Sequence, residues 1–148
     1  MTRRTESRLN RANLGFLLSK ASQRWNELLR ARFKEAGFSQ VRPAYGALLV
    51  PLFEEDGLAL GELGRRAMLS KQTMTTMVRQ LEKAGLVSRK ADPEDARAQR
   101  VYLSALARRF RPVAERVVAE LEDEMLSLES DSPGSRLAWL GAIARHRR

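Results

Sequence analysis

The side chains best equipped for chemistry in this chain lie between Ser70 and Ala84. On a helix turning about 100 degrees per residue, Met74, Met77, Val78 and Leu81 fall on one side, at i, i+3, i+4 and i+7. Opposite them fall Gln72, Thr75, Thr76, Arg79 and Lys83, flanked by Lys71, with no acid among them. Such groups suit the edges of bases in a DNA major groove. Glutamine pairs with adenine, arginine with guanine, and threonine offers a hydroxyl to phosphate or a methyl to thymine. The same stripe also suits the solvated face of an ordinary surface helix. Other chemistries lack their reagents. Cysteine is absent and His146 is the one histidine. Disulfides, thiolate nucleophiles and Cys-ligated zinc are therefore excluded, and a triad or His-based metal site would hang on one terminal residue. No paired carboxylates are placed for acid–base work, so neither an enzyme nor a cofactor nor a bound metal is expected. The stretch Ala59-Leu60-Gly61-Glu62-Leu63-Gly64 is one glycine short of a dinucleotide fingerprint, and its GxxG from Gly61 to Gly64 encloses an acid that suits phosphate poorly.

The charge favours a polyanionic partner. Lysine and arginine number 27 against 18 acids, a formal net charge of +9, which suits nucleic acid, with an anionic membrane surface as the rival class. Residues 1–42 carry ten bases and three acids, and residues 65–104 carry nine bases and four acids, so a local basic patch surrounds the Gln72 face. The longest nearly unbroken apolar stretch, Tyr45 to Phe53, contains Pro51 and is far shorter than the roughly 18 residues a membrane span needs. Arg3, Arg4, Arg8 and Arg11 precede an apolar run, Leu14 to Leu18, that is too short for a secretory signal. A cytoplasmic protein with no membrane partner is expected.

With 148 residues, 43% of them hydrophobic, one folded domain must position that face. Leu14, Leu18, Ala21, Trp25, Leu28 and Phe33 predict a long amphipathic helix closed by Gly37. Its apolar stripe exceeds what a small domain covers from one side, which points to a second copy of the chain. Pro43 suits the start of a second helix, kinked at Pro51 and ending near Gly57, with Tyr45, Leu48, Leu49, Leu52 and Phe53 buried. Leu60, Leu63 and Ala67 predict a short third helix, and Ser70 caps the fourth, which stops at Gly85 with Leu86 closing the cap. Alternation then implies two strands, around Val87 and around Val101 and Leu103, joined by the polar loop 92–99. Ser104 caps a helix carrying Leu106, Phe110, Val113, Val117, Leu121, Met125 and Leu128, kinked early at Pro112. A break at 130–134 precedes a final short helix with Leu137, Trp139, Leu140 and Ile143.

A short helix, a turn at Met68 to Leu69, a capped second helix and a basic hairpin follow the order of a winged helix-turn-helix. The residues resemble the MarR family of bacterial transcriptional regulators over most of the chain. The likeness is most specific at Glu62-Leu63, Ser70-Lys71-Gln72-Thr73, Leu81 to Val87 with Arg89, Asp95-Ala96-Arg97, and Val101-Tyr102-Leu103-Ser104. Ser104 stands where that family usually has threonine, Ala107 and Met68 where glycine is common, and Ala59 where a capping serine or threonine is frequent.

The resemblance implies a mostly α fold with a small β-hairpin wing and a two-fold homodimer. Residues 9–37 and 105–146 would supply interlocking dimerisation helices, and 43–104 the DNA-binding lobe. Double-stranded DNA would meet Ser70, Lys71, Gln72, Thr73, Thr75, Thr76 and Arg79 in the major groove. Arg97, beside Asp95, suits an arginine held by a carboxylate and aimed into a narrow minor groove, or else a bland surface pair. Arg89, Lys90 and Arg100 would contact phosphate. A small aromatic or anionic effector would sit near Trp25, Tyr45, Leu49 and Phe110, each of which also fits as core packing. The resulting expectation is a sequence-specific regulator, a repressor released by a small ligand from a pseudo-palindromic operator. The alternative is a nonspecific architectural nucleic-acid-binding protein.

Overall fold

The computed structural model describes residues 7–129 and 135–146, so the break expected at 130–134 lies outside the described residues. The elements are α1 (Leu14–Glu35), a 3-10 turn (Pro43–Tyr45), α2 (Gly46–Glu54), β1 (Leu58–Ala59), α3 (Leu60–Ala67), α4 (Lys71–Lys83), β2 (Val87–Ala91), β3 (Gln99–Leu103), α5 (Ala105–Leu126) and α6 (Ser135–Arg145). The fold is mostly α with a small wing, as expected.

The helix starts follow their caps. The Asn13 side chain accepts the Phe16 N–H, so α1 begins at Leu14, and residues 10–13 form a turn ahead of it, closed by the Asn13 N–H on the Asn10 carbonyl. Ser104 accepts the Ala107 N–H and donates to the Gly85 carbonyl, tying the start of α5 to the end of α4. The expected second helix opens as the 3-10 turn and then runs through Pro51 to Glu54.

Three helix ends share one cap geometry. The N–H of Phe38 bonds Phe33 O, that of Leu69 bonds Gly64 O, and that of Leu86 bonds Leu81 O. The residue before each is left-handed: Gly37 at φ 89, Met68 at φ 54 and Gly85 at φ 75. This is the Schellman arrangement, and two of the three ends carry the glycine it favours.

A three-stranded antiparallel sheet in the order β1-β3-β2 underlies the wing. Its β2–β3 hairpin runs from Val87↔Leu103 to Ala91↔Gln99, and β1 adds Leu58↔Val101 and Ala59↔Arg100. Hydrophobic alternation predicts no strand at Leu58–Ala59, because two residues are too few to show a period.

One core joins the lobe to the long helices. Leu48, Leu63, Val78, Leu81, Leu86 and Val101 are fully buried. Phe33 meets Phe110 edge-on at 4.8 Å, and Phe38 lies 5.2 Å from Phe110. The last helix, α6, packs along α1. At that joint Arg32 donates to both oxygens of Glu124, at 2.7 and 2.8 Å, and His146 Nε2 lies 3.3 Å from the same carboxylate. Burial pushes the Glu124 carboxyl up, but the bonds and charges of Arg32 and His146 outweigh it and hold the group below its ordinary value. Leu14, Phe16 and Leu18 on α1 and Leu126 on α5 stay exposed. No helix among the described residues is long and apolar enough to cross a membrane.

Candidate nucleic-acid interface

Packing orients α4. Met74, Val78 and Leu81 are buried, each side chain contributing about 1.5–3 kcal/mol when removed from water. Gly64 of α3 allows the close approach, since a Cβ there would lie 3.1 Å from Met74 Cγ. With that side fixed inward, Gln72, Thr75, Thr76, Arg79 and Lys83 face solvent, together with Lys71 and Thr73. Met77, expected on the buried side, is half-buried.

Hydrogen bonds divide the exposed groups into committed and free. Ser70 Oγ caps the helix by accepting the Thr73 N–H at 3.2 Å, and it donates its own proton to Thr73 Oγ1 at 2.9 Å. The Thr75 hydroxyl donates to the Lys71 carbonyl at 3.0 Å, and that of Thr76 to the Gln72 carbonyl at 3.2 Å. Among the described residues, the side chains of Lys71, Gln72, Arg79 and Lys83 have no hydrogen-bond or ion-pair partner.

The wing treats its four expected cations unequally. Arg100 donates from Nε to Asp92 at 3.0 Å and from a terminal nitrogen to the Gly57 carbonyl at 2.9 Å, bracing β3 against the turn before β1. Arg89 Nε lies 2.7 Å from Glu82 Oε1, which ties β2 to α4. Lys90 Nζ sits 5.1 Å from the centre of the Tyr102 ring. Arg97 alone of the four has an exposed side chain with no partner among the described residues. Asp95 does not hold the Arg97 guanidinium. It accepts the Arg97 backbone N–H at 3.0 Å, as Asp92 accepts that of Glu94, so both acids shape the loop as Asx turns. That N–H bond from Glu94, with Arg100 adding to it against the effect of burial, keeps the Asp92 carboxyl below its ordinary value.

Composition did not single out Asp56, yet it organises the base of the wing. Its carboxylate accepts the N–H of Gly57 at 2.9 Å and of Leu103 at 2.8 Å, and Arg108 lies 3.3 Å away. The adjacent Asp56-Gly57 pair is a turn signal that could have marked it. Gly57 is left-handed at φ 72, and a Cβ there would meet the Tyr102 ring at 2.8 Å.

Tyr45, Leu49 and Phe110, expected beside an effector, lie within the core, and Trp25 is half-buried against it. No group of acids, histidines or cysteines that could hold a metal occurs among the described residues.

Known proteins share these features. The sequence model described as MarR family matches residues 44–98. An HTH-type transcriptional repressor of Mycobacterium tuberculosis is 31% identical over 116 residues, covering 78% of this chain and 81% of that protein. A 62-residue stretch is 40% identical to the HTH-type transcriptional regulator TtmR of Methylorubrum extorquens, covering 42% of this chain and 31% of that one. Among solved structures, a probable transcriptional regulator from Pseudomonas aeruginosa superposes with a TM-score of 0.69 at 30% identity, over 89% of this chain and 95% of that one. Reduced AbfR bound to DNA superposes with a TM-score of 0.62 at 23% identity, over 72% and 73%.

Proposed function

The chain belongs to the MarR family of DNA-binding transcriptional regulators, and from that premise we propose that it is a homodimeric, cytoplasmic repressor of a pseudo-palindromic operator. The observation that carries this reading is the outward face of α4: Gln72, Arg79 and Lys83 in a row, exposed and with side chains unpartnered among the described residues, on a helix whose opposite side is locked into the core. Each protomer sets α4 in a major groove, through Ser70, Lys71, Gln72, Thr73, Thr75, Thr76 and Arg79. Arg97 at the wing tip enters the neighbouring minor groove, where a narrow, electronegative channel favours arginine. Lys90 adds a phosphate contact, and Arg89 and Arg100 reach phosphate only in so far as their internal bonds allow.

Residues 43–104 form the DNA-binding lobe, and 9–37 and 105–146 form the dimer. The exposed Leu14, Phe16, Leu18 and Leu126 support a partner along the long helices. Two-fold pairing places the α4 helices about one DNA turn apart, roughly 34–36 Å. Operator affinity then depends on the spacing of the lobes, and a small aromatic or anionic ligand that opens the joint near Trp25, Tyr45, Leu49 and Phe110 releases the DNA by population shift.

Selection of bound fragments from random DNA by the full chain tests the reading. The expected product is a pseudo-palindrome with half-sites one turn apart, preferred over random DNA by about a thousand-fold or more at fixed salt. A protein that enriches no sequence is an architectural binder, and the repressor reading falls. Titration of small aromatic acids against the selected site tests release.

A further inference from the structure

Resting on α4 as the helix that reads DNA, we propose that Thr75 and Thr76 determine specificity with their methyl groups, by contact with the C5-methyls of thymine, and not with their hydroxyls. A threonine hydroxyl has one proton to donate. In Thr75 it goes to the Lys71 carbonyl and in Thr76 to the Gln72 carbonyl, each one turn back along the helix. Neither is left for a phosphate oxygen or for the N7, O6 and O4 acceptors that dominate the major-groove edge. Each exposed threonine therefore offers a methyl and lone pairs that only accept.

Thr73 differs. Its oxygen accepts from Ser70 at 2.9 Å, which leaves its own proton uncommitted and suited to phosphate at the start of the helix.

Position around the helix sharpens the assignment. Gln72, Arg79 and Lys83 together span only about 40 degrees around α4, and Thr75 and Thr76 flank the middle of that row on opposite sides, at about 60 and 40 degrees from it. The polar row thus faces the floor of the groove, and each methyl faces one flank of it. A thymine is the one natural unmodified base with a methyl there. The half-site should carry thymines on both strands around the base pairs met by Gln72 and Arg79.

The test begins with the site selected by the full chain. Each of its thymines is replaced in turn by deoxyuridine, which removes the methyl and leaves pairing unchanged. Wild type, Thr75→Ser, Thr76→Ser, Thr75→Val and Thr76→Val are titrated against every probe, with thermal melts confirming that each variant folds. The wild type should lose about four-fold in affinity for each contacted methyl removed from a half-site, the equivalent of one buried methyl group. Each serine variant, which keeps the hydroxyl but removes the methyl from both protomers, should lose about sixteen-fold on the unmodified site, two contacts at about four-fold each, and become indifferent to uridine at one position in each half-site. Each valine variant, which keeps a methyl, should keep the uridine penalty that its serine counterpart loses. Serine variants that abolish the uridine penalty at no position, or valine variants that lose binding while serine variants keep it, would overturn the proposal, as would indifference to uridine everywhere. A selection that yields no preferred site sinks the reading of α4 itself, and this proposal with it.

Discussion

Met68 provides a sharp test of the local energetics, because its backbone and its side chain ask for opposite things. It occupies the left-handed cap position between α3 and α4 at φ 54 and ψ 40, and its side chain is 90% exposed. A residue bearing a Cβ costs about 1–2 kcal/mol in that conformation. Glycine avoids this cost but gives back about 0.5–1 kcal/mol through its looser unfolded state. The exposed thioether adds almost nothing to packing. Met68→Gly should therefore stabilise the fold by about 0.5–1 kcal/mol, a rise of about 1–4 °C in melting temperature for a chain of this size. Met68→Ala should be close to neutral, since the Cβ remains, and Met68→Val should lose stability, because β-branching crowds a left-handed residue. Urea denaturation at fixed protomer concentration is the assay, with the m-value required to stay constant. If Met68→Gly equals Met68→Ala, or if both fall below wild type, the left-handed cost does not govern this turn and the reasoning fails.

Other outcomes follow from the geometry. Gly57→Ala should destabilise by about 1–3 kcal/mol, since it adds a left-handed Cβ and a 2.8 Å contact with Tyr102; Gly61→Ala, with nothing near its Cβ, is the control and should do no harm in the same melts. Arg97→Ala should lower the slope of log affinity against log salt by about 0.9 for each phosphate that the guanidinium neutralises, with melting unchanged. Arg100→Ala should instead lower the melting temperature, because it frees Asp92 and the Gly57 carbonyl; the reverse pattern would exchange the two roles. Glu124 titrates below its ordinary value of 4.5 in the fold, so its contribution is complete above that pH and disappears as the pH falls through the lower folded value. Glu124→Gln should thus flatten the loss of stability on acidification, seen as melting temperature against pH.

Much of the architecture was legible because helices and caps are local. The two-sided pattern from Ser70 to Ala84 depends only on spacing along one helix, and it already separated Met74, Val78 and Leu81 from Gln72, Thr75, Thr76 and Arg79. Ser70, Ser104, Gly37 and Gly85 marked their helix ends because their own side chains, or the lack of one, provide the cap. Met68 performs the same cap as Gly37 and Gly85, yet nothing in a methionine signals a left-handed backbone. The two residues of β1 carry no periodic signal and form a strand only because β3 lies beside them.

What the tertiary structure alone decided is which charges and hydroxyls are available. Arg89, Arg97 and Arg100 look alike in the sequence, but Arg89 meets Glu82, Arg100 meets Asp92 and the carbonyl of Gly57, and Arg97 meets nothing described. Asp95 was expected to hold the arginine side chain and holds its backbone instead. Periodicity is a property of one segment, whereas a hydrogen bond depends on distance in space. A residue's partner 43 positions away, as Gly57 is from Arg100, exists only once the chain has folded.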